Sequence, residues 1–224
     1  MSVLESAGFA EVVLPIIDFA EPYAGVTERD AAKQSYRFID REGELVSIRS
    51  DFTPMVARAL APAIGDAALP LRVFYRGDVI RCEASRLGAN REMFQIGAEI
   101  VGDGSAEADV AMLRLAATLA SAFFAKPLVV YTPDGRRQMA DGGGPGSLLP
   151  SALCDLPSRL EGDPRFVPHD DGEDTGYYTG IRFWVYGADR RKPVAQGGRY
   201  DTLYERFGAA APAIGFTFTI DDIQ

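Results

Sequence analysis

Arg91-Glu92-Met93-Phe94-Gln95-Ile96-Gly97-Ala98-Glu99-Ile100-Val101, residues 91–101, alternates apolar and polar side chains with a period of two. That period belongs to a strand, whose successive side chains point to opposite faces. Phe94, Ile96, Ala98 and Ile100 make a core face, and Gln95, Gly97, Glu99 and Val101 make the other. On the second face an amide and a carboxylate flank a glycine. A glycine there leaves open volume above the sheet, room for a ligand between two polar groups. The preceding run, Leu71 to Glu83, is strand-like with an interruption at Gly77-Asp78, and sets Arg81 and Glu83 on one face. Paired as a hairpin, the two strands bring Arg81, Glu83, Gln95 and Glu99 together. An arginine grips a carboxylate through two parallel N–H bonds, and a carboxylate accepts from an ammonium, so the group suits a zwitterion. The same alternation also arises on a solvated face through cross-strand ion pairs. Periodicity alone leaves both readings open.

Working outward, residues 11–17 are short and β-branched and predict a strand, with Pro15 placing it at an edge or bulge. Tyr36 to Asp40 and Leu45 to Arg49 predict a hairpin turning at Gly43. Thr53 can cap a helix whose first turn accommodates Pro54. The spacing of Val110, Leu113, Ala117, Ala120 and Phe124 predicts a helix over 106–124. Leu128 to Tyr131, Tyr177 to Tyr186 and Ala213 to Ile220 predict strands, with a short helix near Arg199 to Phe207. Residues 132–173 are rich in Pro, Asp and Gly and predict a shortened connection with one or two small helices, one near Leu148 to Leu153. Gly197-Gly198-Arg199-Tyr200-Asp201 reads as a glycine turn without the spacing of a phosphate loop. The order of elements contains no βαβ series. It implies one α+β domain over residues 1–224, mainly antiparallel, with helices on one sheet face.

The 224 residues, 47% hydrophobic and 25% charged, allow a sizeable core. A net charge of −9 disfavours a nucleic-acid backbone as main partner. Cys82, Cys154 and the single histidine, His169, form no zinc pattern, and reduced thiols in a cytoplasmic protein are expected. The first residues lack the pattern of a signal peptide, and no apolar run is long enough to span a membrane. Neither a metal nor a cofactor is expected.

Six ordered segments carry a family resemblance. They are Arg49-Ser50-Asp51-Phe52-Thr53-Pro54, then Phe74 to Glu83, Arg91 to Glu99, Tyr177-Tyr178-Thr179-Gly180-Ile181, Gly197 to Asp201, and Ala213-Ile214-Gly215-Phe216. Together they resemble the class II histidyl-tRNA synthetase catalytic core, and they cover most of the chain outside 132–173. The resemblance implies a synthetase-like fold, a mixed, mainly antiparallel sheet flanked by helices. It also implies a histidine pocket at Asp51, Thr53, Arg81, Gln95, Glu99, Tyr177 and Tyr178, with Glu83 and Arg91 nearer the nucleotide. Ser50 stands where the family has proline, and Ala84-Ser85 where it has an Arg-Pro pair.

Two further departures bear on chemistry. Glu173 occupies the position of an arginine that stabilises the charge of adenylate formation, and Asp222 that of an arginine that holds ATP. Each exchange puts an anion beside a polyphosphate, and losing one such stabilising group costs about 10²–10³ in rate. The chain stops at Gln224, before the anticodon-binding domain that follows in the synthetase. This pattern is similar to the regulatory subunits of ATP phosphoribosyltransferase, synthetase-like proteins that do not charge tRNA. What that similarity implies is a non-catalytic subunit, homodimeric through the region around Pro15. It would join a short-form catalytic subunit and answer to histidine in the first step of histidine biosynthesis, with no tRNA or membrane partner. The alternative is a minimal adenylate-forming ligase that activates an amino acid.

Overall fold

The computed structural model describes residues 2–26, 35–82, 90–132, 156–169, 178–187 and 191–223. In chain order they form α1 (Ser2–Ser6), β1 (Ala10–Glu11), β2 (Ile17–Phe19), β3 (Arg37–Ile39), β4 (Leu45–Ile48), α2 (Thr53–Leu60), β5 (Leu71–Ile80) and β6 (Glu92–Val101). There follow α3 (Ala106–Ala120), β7 (Leu128–Tyr131), α4 (Leu156–Leu160), β8 (Phe166–Pro168), β9 (Arg182–Tyr186), β10 (Pro193–Arg199) and β11 (Ala213–Thr219). Among the described residues, eight strands form one sheet in the order β1-β5-β6-β11-β10-β9-β7-β8, and β2-β4-β3 form a smaller one.

The strand read first sits near the middle of the large sheet. β5 and β6 are an antiparallel hairpin that sets Tyr75 opposite Gly97 and Gly77 opposite Gln95. β11 pairs on the other side of β6, with Thr217 opposite Gly97 and Gly215 opposite Glu99. β10 continues the rows, with Gln196 opposite Thr217 and Gly198 opposite Gly215.

Both faces of the sheet are covered, where helices on one face were expected. On one, Leu113, Ala116 and Ala120 of α3 pack against Ile100, Phe183, Ile214, Phe216 and Phe218. On the other, Ala57 of α2 lies in a cluster with Val101, Ala213, Tyr200 and Tyr204, and Phe52 and Val56 pack on Val73, Tyr75 and Val79. α3 has the predicted apolar spacing and a side-chain cap, Ser105 accepting from the Ala108 N–H at 3.2 Å. Ser105→Ala should lower stability by about 1 kcal/mol, read from the urea midpoint with the slope unchanged.

The hairpin at Gly43 is present as β3 and β4. The predicted strand over 11–17 is instead broken into β1 and β2, because Pro15 has no N–H to pair. Arg49 binds this broken stretch, donating to the Leu14 and Pro15 carbonyls at 2.9 and 3.2 Å and to the Asp78 carbonyl at 2.8 Å. β5 runs without interruption through Gly77, whose φ of 146° and lack of a side chain let the Arg49 guanidinium lie against it.

Gly197 and Gly198 lie inside β10, where a turn was expected. Strand pairing brings the Phe183 ring against Gly197 and the Tyr178 ring against Gly198, so both places are closed to side chains. The helix expected near 199–207 is a 3₁₀ turn over Tyr204–Phe207. β7 and β8 are parallel, with α4 between them in sequence, a small βαβ-like unit whose helix and second strand lie in the Pro- and Gly-rich stretch. The helix expected near Leu148 to Leu153 lies outside the described residues. No helix among the described residues is long and apolar enough to cross a membrane.

Candidate functional site

Register places the candidate residues in rows across one sheet face. Glu99, Gly215 and Gly198 form one row, and Tyr75, Gly97, Thr217 and Gln196 the next. Gln95 lies beyond them, opposite Thr219 and Gly77. Over these rows opens a cleft lined by Asp51, Thr53, Arg81, Gln95, Tyr178, Gln196, Tyr200, Gly215, Phe216 and Thr217.

Each wall has a local cause. The N-terminus of α2 delivers Asp51 and Thr53. Asp51, not Thr53, satisfies a backbone donor there, its Oδ1 accepting from the Thr53 N–H at 3.2 Å. That frees the Thr53 hydroxyl, which donates to Glu99 Oε1 at 3.1 Å and so holds the carboxylate. Arg81 continues β5, with its N–H on the Arg91 carbonyl at 2.9 Å and its Nε donating to the Ser50 carbonyl at 3.3 Å. Tyr178 reaches the cleft because its ring crosses Gly198.

The open volume expected above Gly97 is filled. The Tyr75 ring occupies the place of a Gly97 side chain, so the glycine admits a tyrosine and the ligand space moves toward Gly215 and Gly198. Phe52 stacks on Tyr75 at 4.4 Å between centroids, and the Arg49 guanidinium lies 4.1 Å over Phe52. The Tyr75 hydroxyl meets Thr217 Oγ1 at 2.7 Å and donates to Glu99 Oε1 at 3.4 Å.

Glu99 is 1% exposed at the floor of the cleft. Its Oε2 has no hydrogen-bond partner among the described residues and stands against Gly215, where a Cβ would collide with it and with the Tyr200 hydroxyl. Burial pushes the Glu99 carboxyl well above the usual carboxylate range, and the nearby Asp51 charge pushes the same way. Burial also raises Asp51, against the pull of Arg81. The buried Gln95 Oε1 is likewise without a partner among the described residues. One carboxyl oxygen and one amide oxygen thus await donors, and Arg81 is the one cation among the lining residues described. Chemically this is a receptacle for a small molecule with several N–H donors and an anionic group.

Of the sequence candidates, Asp51, Thr53, Arg81, Gln95 and Tyr178 line the cleft, and Glu99 lies beneath it. Arg91 does not join them. It donates to the Tyr36 hydroxyl at 2.6 Å and borders a separate depression with Asp78, Glu92, Phe94 and Asp221. Tyr177, Glu83 and Glu173 lie outside the described residues, as does the Asp222 side chain. Sequence reasoning missed Tyr75, Gln196, Tyr200 and Thr217. The two-residue spacing of Gln196 to Gly198 and of Gly215 to Thr217 was the available signal, obscured by reading the glycine pair as a turn. A second cavity between the small sheet and α2 shares Asp51. There Asp18 already pairs with Arg58 and accepts from the Tyr23 hydroxyl, and Arg49 is committed to backbone carbonyls. It therefore offers less unmet hydrogen-bonding capacity than the sheet cleft.

Comparison with known proteins bears on the fold and the family. The chain is 28% identical to the ATP phosphoribosyltransferase regulatory subunit of Geobacter sulfurreducens, over 97% of this chain and 65% of that protein. It is 29% identical to the regulatory subunit of Symbiobacterium thermophilum, over 98% of this chain and 72% of that protein. It thus spans roughly two-thirds of the length of these relatives. A solved Bacillus halodurans structure, described as an ATP phosphoribosyltransferase regulatory subunit/histidyl-tRNA synthetase, superposes with a TM-score of 0.79 at 22% identity, covering 99% of this chain and 75% of that one. The model of the family described as Histidyl-tRNA synthetase matches residues 1–130 and 169–223, well over half of the chain, which therefore belongs to the histidyl-tRNA synthetase family.

Proposed function

We propose that this chain is a non-catalytic regulatory subunit of ATP phosphoribosyltransferase that binds histidine in the sheet cleft and acts on a short-form catalytic subunit. The observation that carries the ligand is the buried Glu99 with half-buried Asp51 and the Arg81 guanidinium beside them, a charge pattern complementary to an amino acid. The relatives' names support the regulatory role. The anions Glu173 and Asp222, where the synthetase places nucleotide-binding arginines, speak against adenylate chemistry. On this reading residues 132–173 are a shortened insertion, the protein works in the cytoplasm, and the net charge of −9 disfavours tRNA.

Assembly has a candidate surface. Ile17, Phe19 and Phe38 of the small sheet are 46%, 48% and 41% exposed, beside Ile16 at 45%. Such a face suits a second copy of the chain, giving a homodimer within the hetero-oligomer. Histidine would regulate by binding one assembly state more tightly than another.

The test is reconstitution. With a short-form catalytic subunit, the chain should switch on phosphoribosyl transfer from phosphoribosyl pyrophosphate to ATP, and histidine should inhibit it. Alone it should catalyse neither that transfer nor histidine-dependent ATP–pyrophosphate exchange. Robust exchange, or tight Mg·ATP binding by calorimetry, would instead favour the adenylate-forming ligase. Histidine should also raise the melting temperature in proportion to RT ln(1 + [L]/Kd).

A further inference from the structure

The two long walls of the cleft differ in chemistry. The β6 side carries acceptors: Glu99 beneath, with Asp51 and Thr53 held over it by the Thr53–Glu99 bond. Two strands away, at about 4.8 Å per strand, the β10 side stands about 10 Å across the sheet, a span suited to an amino acid lying between them. The cleft-lining side chain there is Gln196, in register with Thr217. It is exposed, and its amide makes no hydrogen bond among the described residues. The neighbouring Thr217 hydroxyl is occupied by Tyr75.

A zwitterion between these walls turns its ammonium toward the acceptors. Its carboxylate is repelled by Asp51 and Glu99 and faces the opposite side. We infer that Gln196 is a specificity-determining residue whose side-chain amide donates to the carboxylate of the bound amino acid from the wall opposite Asp51 and Glu99. This rests on the reading of the cleft as an amino-acid site. Arg81 stands on the Asp51 side, its Nε on the Ser50 carbonyl, so Gln196 gives the opposite wall a neutral donor of its own and makes the site select for a free carboxylate.

The experiment titrates histidine and histidinol, which carries an alcohol in place of the carboxylate, into the wild-type protein, Gln196→Ala and Gln196→Glu by calorimetry. The wild type should prefer histidine. Gln196→Ala should weaken histidine about 10-fold, the scale of one hydrogen bond to a charged group, and histidinol by less than about 2-fold. Gln196→Glu should weaken histidine further through like-charge repulsion and leave histidinol near the wild-type value. Melting temperatures without ligand should agree, because the side chain is exposed. Equal losses for both ligands, or none for either, would overturn the role of Gln196 while leaving the histidine site standing. A wild-type protein that binds neither ligand would remove the amino-acid site and the inference with it.

Discussion

Replacing Arg199 with methionine lowers the unfolding free energy by about 3–5 kcal/mol at pH 7.5, because it strands a buried carboxylate. Arg199 and Asp109 are 3% and 1% exposed, with Nη2 to Oδ1 at 2.5 Å and Nε to Oδ1 at 2.9 Å. The same guanidinium donates to Asp201 at 3.0 Å and to the Asp103 and Ser105 carbonyls at 3.2 and 3.3 Å. It thus ties β10 to the start of α3 across the larger core. Burial lifts the Asp109 carboxyl to about 6 even beside this cation, and its Oδ2 has no hydrogen-bond partner among the described residues. The sign of the pH dependence follows. Its folded-state pKa is raised, so the stability this group contributes is complete below the ordinary carboxylate range and is lost as pH rises through about 6. The cost of Arg199→Met should therefore be smaller at pH 5, where Asp109 can take a proton, than at pH 7.5. The double variant Arg199→Met/Asp109→Leu should recover much of the loss, since an apolar pair removes the stranded charge. Denaturant titrations of the wild type and these two variants at both pH values check this, and a loss independent of pH would mean that packing, not charge, dominates.

The parts of the fold legible in the sequence were those with a strong local period. β6 and α3 each bury one regular set of side chains, and the hairpin at Gly43 carries its own turn residue. What escaped was decided by distant partners. Gly197 and Gly198 read as a turn because their reason for lacking side chains, the rings of Phe183 and Tyr178, lies in other segments. A small helix was expected somewhere in 132–173, but the composition there gave no period to place α4 at Leu156–Leu160. At the site, Gln95 and Glu99 were legible from alternation, and their hairpin partner Arg81 followed. The family resemblance supplied Asp51 and Thr53, but not the order of events between them. Asp51 accepts from the Thr53 N–H at the helix start, and the Thr53 hydroxyl is left to bind Glu99. Tyr75 was hidden for a related reason. In sequence it is one aromatic in a strand, and only cross-strand register shows that it fills the space Gly97 leaves.

Glu99→Gln is expected to weaken histidine binding by about 10–100-fold, or ~1.5–3 kcal/mol, the scale of a charge-assisted hydrogen bond. Without ligand, the same change should leave stability equal or slightly higher. The wild-type carboxyl is buried with one oxygen unpartnered among the described residues and with Asp51 nearby, so its charged form is disfavoured and its proton is retained above the usual carboxylate range. A ligand ammonium or ring N–H in the cleft reverses that preference, because the anion then gains a donor and a counter-charge. Binding is thereby coupled to proton release. Glu99 should hold its proton to higher pH in the free cleft than in the complex, so its contribution makes affinity rise with pH through the window between the two values. Calorimetry in buffers of differing ionisation heat should record up to one proton released per site in the wild type and less in Glu99→Gln. The histidine ring titrates in the same region, with an unperturbed pKa of about 6.5, and the variant serves as the control that subtracts it. A wild type and variant with the same proton count would place the ligand away from Glu99. Since a side chain that only supported the fold would lower stability and affinity together, loss of affinity at constant or increased stability is the signature of a residue kept under strain for its ligand.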